Sequence, residues 1–329
     1  MSDVLRVVAD PGWRLSAEGV LGTTDPAEVS RRVGEFCRDV LAEDVEAIFF
    51  FELSVGAALG VRLRDERRVM VKVYSPERPP DFVQAVSRVQ EFLSRQGFPC
   101  PRPLAAPASF GAGLATAEEF VDDGDQADAH DARIRRTLSN CLAELIRLTE
   151  PFRAEIALGR GFSILRHPVW PKPHSPIFDF ERTALGAEWI DEFARRAREV
   201  LMDDRSPLVV GHSDWSVKHF RFVGNRVRVV YDWDSLMRER EAFLVGTAAA
   251  HFTSVPPDWR PPEQREAAAF VDEYERARAT PFSAAERRAV QAAYVYGTAY
   301  TARCQHALHP DERDGGGFRE ALRAATRPS

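Results

Sequence analysis

Between Val209 and Leu236 the chain sets two apolar runs, "VVGH" and "VRVVY", around a dense polar cluster of His212, Asp214, His219, Asp232 and Asp234. Short apolar runs bounded by turn residues read as strands. Gly224-Asn225 lies between them and signals a tight turn, so the two runs are expected to pair as a hairpin that carries Asp214 and Asp232 to one end. Two carboxylates placed together either form a solvated acidic tip or divide labour. In the second case one accepts a hydroxyl proton while the other holds a divalent cation on a nucleotide.

The rest of the chain has two textures. Asp25 and Pro26 read as an N-cap and first helical residue, and Val29, Val33, Phe36, Val40 and Leu41 then share one helical face. Three β-like segments follow, "EAIFFFEL", "GVRLR" and "RRVMVKVY", whose short connections predict an antiparallel meander. "PPDFVQAVSRVQEFLSRQG" predicts a second helix with Phe82, Val86, Val89 and Leu93 on one stripe and Gly97 closing it. "FPCPRPL" is expected to be extended and "LATAEEFV" to be a further strand. Beyond "DDGDQADAHD" the pattern turns helical, at Ala132–Leu148, at "GAEWIDEFARRAREVLM", and from Glu241 and Ser283 onward. The proline-rich "ILRHPVWPKPHSPIFDF" interrupts it. The expected fold is α+β, with a small antiparallel-sheet lobe over residues 1–121 and a mostly helical lobe over 122–329 joined by an acidic connector.

A net charge of −6, 44% apolar and 29% charged residues describe an ordinary globular chain and weigh against a nucleic-acid partner. Cys37, Cys100, Cys141 and Cys304 form no CxxC pair and are expected to be buried thiols in a reducing compartment. The opening "MSDVLRVVADPGW" lacks the features of a signal peptide, and the longest apolar run is too short to span a bilayer. The expectation is a cytoplasmic protein with no membrane partner, monomeric or weakly dimeric.

Two weaker features precede the acidic cluster. Gly56 and Gly60 in "ELSVGAALGVRL" are expected in a turn between strands, where backbone N–H groups can approach a phosphate, although hairpin glycines are more often plain turn residues. Lys72 in "VMVKVY" points to the strand face opposite Val71 and Val73, either into water or toward phosphates.

In their order, these features resemble the aminoglycoside phosphotransferase and choline kinase superfamily, which has the protein kinase-like bilobal fold. The family's "HGDxxxxN" loop and "IDW/F" segment correspond to "HSDWSVKH" and "YDWD", with eighteen residues from Asp214 to Asp232. The resemblance covers about Asp25 to Phe252. It implies a transferase, an ATP- or GTP-dependent O-phosphotransferase with Mg²⁺ or Mn²⁺ and a small hydroxylated acceptor. Asp214 would be the catalytic carboxylate, Asp232 the metal ligand and Lys72 the phosphate-binding cation. The backbone from Ser54 through Gly56 to Gly60 would cover the phosphates, and Glu119 and Val121 would meet the base. His212 would be structural.

Two positions depart from the family pattern. His219 stands where the family has asparagine as second metal ligand; imidazole would weaken that site, favour Mn²⁺ or contact phosphate. No glutamate occurs early in the helix after Lys72; Gln84 and Gln90 occur there, and Glu91 comes late, off the buried stripe. A zinc site at His212, Asp214 and His219 lacks a fourth ligand. Ser213 lacks the following glycine of a nucleophile elbow. The departures leave two alternatives, a catalytically silent protein of the same fold and an unrelated binding module. Trp170, His174 and Phe178 in the proline-rich segment line an acceptor pocket or simply stiffen a surface crossing.

Overall fold

The computed structural model describes residues 3–10, 13–159, 167–175, 177–257, 259–311 and 317–325, which divide into two units, Met1–Asp122 and Asp123–Ser329. The first unit opens with a 3₁₀ helix, Asp3–Ala9, and helices α1 (Arg14–Leu21) and α2 (Pro26–Leu41). The Asp25 carboxylate accepts the Ala27 N–H at 2.9 Å, so α2 begins at its expected cap. Val29, Val33, Phe36 and Cys37 form its buried stripe.

Strands β1 (Val45–Leu53), β2 (Gly56–Leu63) and β3 (Arg68–Tyr74) form the expected antiparallel meander. Helix α3 (Pro80–Arg95) follows, with Phe82, Val86, Val89 and Leu93 buried and Gly97 in the left-handed region at its end. Strands β4 (Ala108–Phe110) and β5 (Gly113–Glu119) complete a sheet ordered β1-β2-β3-β5-β4. Side-chain alternation gives this sheet two unlike faces. Leu59, Val61, Val69, Val71, Val73, Ala115 and Ala117 join residues of α1 and α2 in one apolar core. Ala58, Gly60, Met70, Lys72, Thr116 and Glu118 occupy the other face by register.

The second unit is mainly helical: α4 (Ala132–Leu148), α5 (Glu188–Met202), α6 (Glu241–His251), α7 (Gln264–Ala277), α8 (Ala284–Leu308) and α9 (Phe318–Ala325). Every residue of α6 from Glu241 to Ala250 is buried, so this helix is the unit's centre. A Cβ on its Gly246 would collide with the Val290 carbonyl, Ala293 and Tyr294 of α8, which is why this crossing needs glycine. At the start of α6, Glu241 accepts hydrogen bonds from the Tyr274 hydroxyl at 2.7 Å and Arg278 at 2.8 Å.

Two short ribbons are set among these helices, and here the expected hairpin is corrected. The run ending at His212, β6 (Leu208–His212), pairs with β9 (Leu236–Arg240). The Gly224-Asn225 turn instead closes β7 (Phe220–Val223) onto β8 (Arg226–Val230). A two-residue turn joins the strands that flank it directly, and the "VVGH" run lies too far upstream to be one of them.

The acidic connector is taken up by ion pairs. Asp123 holds Arg228 at 2.6 Å, Asp131 caps α4, and Asp125 bridges to Phe222 through the backbone. The four cysteines form no disulfide, and burial pushes the Cys37 and Cys304 thiols up to about 12. No helix among the described residues is long and apolar enough to cross a membrane.

Candidate active site

Asp214 follows β6 in a tight loop fixed by buried tryptophans. The Trp215 indole donates to the Leu138 carbonyl at 3.1 Å, and the Ser216 hydroxyl donates to the Ser254 carbonyl. Ser213 donates both its N–H and its hydroxyl to the Ser235 carbonyl, at 2.9 Å each. A 3₁₀ turn, Val217–His219, then brings Lys218 and His219 back toward Asp214. Asp232 follows β8 with φ +65°, a left-handed backbone that aspartate tolerates better than most residues. The Trp233 indole donates to the Val230 carbonyl at 2.8 Å, and Ser235 donates to Asp232 Oδ2 at 2.7 Å. The Tyr231 N–H donates to the His219 carbonyl at 2.8 Å, joining the two acid-bearing segments.

The side chains converge. His219 Nε2 lies 2.9 Å from Asp214 Oδ2 and 3.6 Å from Asp232 Oδ2. The Lys218 ammonium lies 2.8 Å from the same Asp214 oxygen and 5.3 Å from the Trp259 ring centre. Donor atoms of Asp214, His219 and Asp232 all fall within 4.8 Å of one another. Two carboxylates and an imidazole at this separation fit a divalent cation, and the imidazole makes the set softer than the all-oxygen shell Mg²⁺ prefers.

Burial works against the Asp214 charge, but hydrogen bonds and charges from His219 and Lys218 outweigh it and hold the carboxyl well below its usual range. His212 is 1% exposed; its Nε2 lies 3.2 Å from the Tyr231 carbonyl and burial lowers it to about 4. It is thus a neutral strut between the rings of Trp215 and Trp233.

The other expected site residues lie in the first unit. Ser54 sits in the β1–β2 turn, donating its N–H to the Gly56 carbonyl at 2.8 Å. Gly56 opens β2, where a Cβ would lie 2.9 Å from the Val73 carbonyl. Gly60, expected in the turn, is inside β2, and the rings of Phe49 and Phe120 close over the place of its missing side chain. Its lack of a side chain therefore has a packing cause. Glu119 ends β5; its N–H donates to the Arg102 carbonyl at 2.9 Å and its carboxylate pairs with Arg102. Val121 follows, half-buried. Lys72 Nζ lies 3.4 Å from Glu118 Oε1, a partner missing from the sequence expectations. Its signal was the "EE" pair in β5, since alternation sends one of two adjacent glutamates to the lysine's face.

Trp170 and His174 pack on α8, and Phe178 packs on His174. Trp170 donates to Asp191 at 2.7 Å and packs on Phe180, Tyr296 and Tyr300, while His174 lies 2.8 Å from the Tyr300 hydroxyl. These contacts tie down the proline-rich crossing, of which residues 164–166 and Pro176 are outside the described set.

The sequence profile of the APH phosphotransferase enzyme family matches residues 57–279, more than half the chain. The chain belongs to this phosphotransferase family. The match takes in Lys72, Asp214, His219 and Asp232. Among solved structures, the phosphotransferase is similar to amicoumacin kinase hAmiN in complex with AMP-PNP, Ca²⁺ and Ami, at 12% identity and TM-score 0.61, covering 91% of this chain and 94% of that one. It is also similar to a type I macrolide 2′-phosphotransferase, at 15% identity and TM-score 0.53, covering 93% and 97%. Choline kinase LicA from Streptococcus pneumoniae matches at 11% identity and TM-score 0.51, covering 90% and 96%. At these identities the likeness is one of fold, the protein kinase-like α+β architecture. No curated protein sequence gave a significant match.

Proposed function

We propose that this phosphotransferase moves the γ-phosphoryl group of ATP or GTP onto a hydroxyl of a small molecule in the cytoplasm. The observation that carries the reading is the convergence of Asp214, His219 and Asp232 within 4.8 Å. Asp214 accepts the hydrogen bond of the acceptor hydroxyl and aims its oxygen at the γ-phosphorus. As the new O–P bond forms, the bond to the β-phosphate oxygen breaks and the hydroxyl proton passes to the carboxylate and on to water. In a loose transition state the proton leaves late, so orientation counts for more than basicity. The Lys218 ammonium, 2.8 Å from Asp214 Oδ2, favours the ionised carboxylate that this role needs. Asp232 and His219 would hold the divalent cation, which when bound neutralises charge on the phosphoryl oxygens. Lys72 would contact the α- and β-phosphates, the turn from Ser54 to Gly56 would cover them, and the backbone at Glu119 and Val121 would meet the base.

Family membership removes the unrelated binding module; the silent kinase-like protein remains as the rival. The test is a labelled-phosphate screen over aminoglycosides, macrolides, amino alcohols, sugars and nucleosides, with Asp214→Ala in parallel. Wild type is expected to label at least one class, and the variant to fall at least about a hundredfold. Equal background labelling by both proteins would establish the silent reading.

A further inference from the structure

No glutamate stands early in α3, where the resemblance would place one, yet Lys72 faces a carboxylate. We infer that Glu118 of β5 is the positioning carboxylate for Lys72, with Gln90 of α3 as its clamp. The inference rests on the reading of Lys72 as a nucleotide-binding residue.

Register puts Lys72 opposite Thr116 and Met70 opposite Glu118, so Lys72 and Glu118 are diagonal neighbours on one face of the sheet. Their side chains are 16% and 4% exposed, and Nζ and Oε1 are 3.4 Å apart. The second carboxylate oxygen accepts a hydrogen bond from Gln90 Nε2 at 2.6 Å. Gln90, itself 4% exposed, gives its other amide proton to the Pro101 carbonyl at 2.9 Å. Both amide protons are thereby engaged, which fixes the side-chain amide and, through it, the rotation of the carboxylate. Glu91, next in the helix, turns outward and pairs with the exposed Arg95 at 2.6 Å. In this chain the strand carries the negative charge that faces Lys72, and the helix supplies a neutral donor to it.

The sign of the effect separates positioning from mere proximity. A carboxylate that only sat near phosphates would repel them, and neutralising it would tighten nucleotide binding. A carboxylate that holds the ammonium in place gives the opposite sign. The experiment measures the Kd of the full chain for ATP and GTP with Mg²⁺ and with Mn²⁺, alongside the thermal midpoint without nucleotide. Glu118→Gln is expected to weaken binding about tenfold or more. Gln90→Leu, which leaves the Glu118 charge and removes the amide that orients it, is expected to weaken binding by a smaller factor, about threefold. Should Glu118→Gln not fold, Gln90→Leu is read in its place, and a folded Gln90→Leu that binds as tightly as wild type or more so would overturn the inference. Unchanged or tighter binding by folded Glu118→Gln would also overturn it, while wild-type binding left the nucleotide reading intact. A wild type that binds neither nucleotide would overturn both.

Discussion

His212 shows how a residue of the "HSDW" motif can be structural and still leave a functional signature. Its folded form stays neutral down to about pH 4, whereas an unfolded histidine protonates near 6.5. The unfolded chain therefore binds more protons between those values, and stability falls as pH drops through that window. The linkage amounts to about 3 kcal/mol in full, with about 2 kcal/mol lost by pH 5. Burial lowers His251 as well, which adds to the loss with the same sign. Urea melts at pH 7 and pH 5 are expected to show a shallower pH dependence in His212→Asn than in wild type. His219 is the more telling departure, since its imbalance between imidazole and oxygen ligands is a matter of metal choice. His219→Asn is expected to raise the Mg²⁺ to Mn²⁺ activity ratio severalfold; an unchanged ratio would mean that the imidazole is not a ligand. The grouping of Asp214, His219 and Asp232 was legible because all three lie in one short stretch. Glu118 and Lys218 were not, because their roles depend on strand register and on a 3₁₀ turn that no periodicity announces.

Helices in this chain were easier to read than ribbons. The stripe of α2 and that of α3 recur in the buried residues, since a long amphipathic pattern repeats its signal every turn. Strands of four or five residues carry no such redundancy, and the pairing of β6 with β9 rather than β8 is set by tertiary packing. Helix α6 is apolar all round and so has no face to read; its packing shows at Gly246. Gly246→Ala forces a methyl group into the backbone of α8 and is expected to cost about 3 kcal/mol. Thermal unfolding checks this, with Gly34→Ala as a control, since nothing lies within 4 Å of a Cβ built there.

For the chain as a whole, the order of features was more informative than any one of them. The family match spans that order, from β2 to the end of α7, and the sheet-then-helices architecture follows from it. The acceptor was not legible, and the acids of the connector are engaged with arginines and backbone. A nucleotide that binds only the folded chain is expected to stabilise it by about 2.7 kcal/mol at a hundredfold excess over Kd. Differential scanning fluorimetry with ATP and GTP measures this, and absence of any shift with either metal would count against the proposed donor. The β7–β8 ribbon has a further consequence for engineering. Its base delivers His219 and Asp232, while its tip at Gly224-Asn225 is exposed and anchored through Thr137. Length can therefore vary at the tip with the chemistry undisturbed, so a reporter peptide grafted there should ride along harmlessly, whereas a single residue added after Val230 would swing Asp232 out of line.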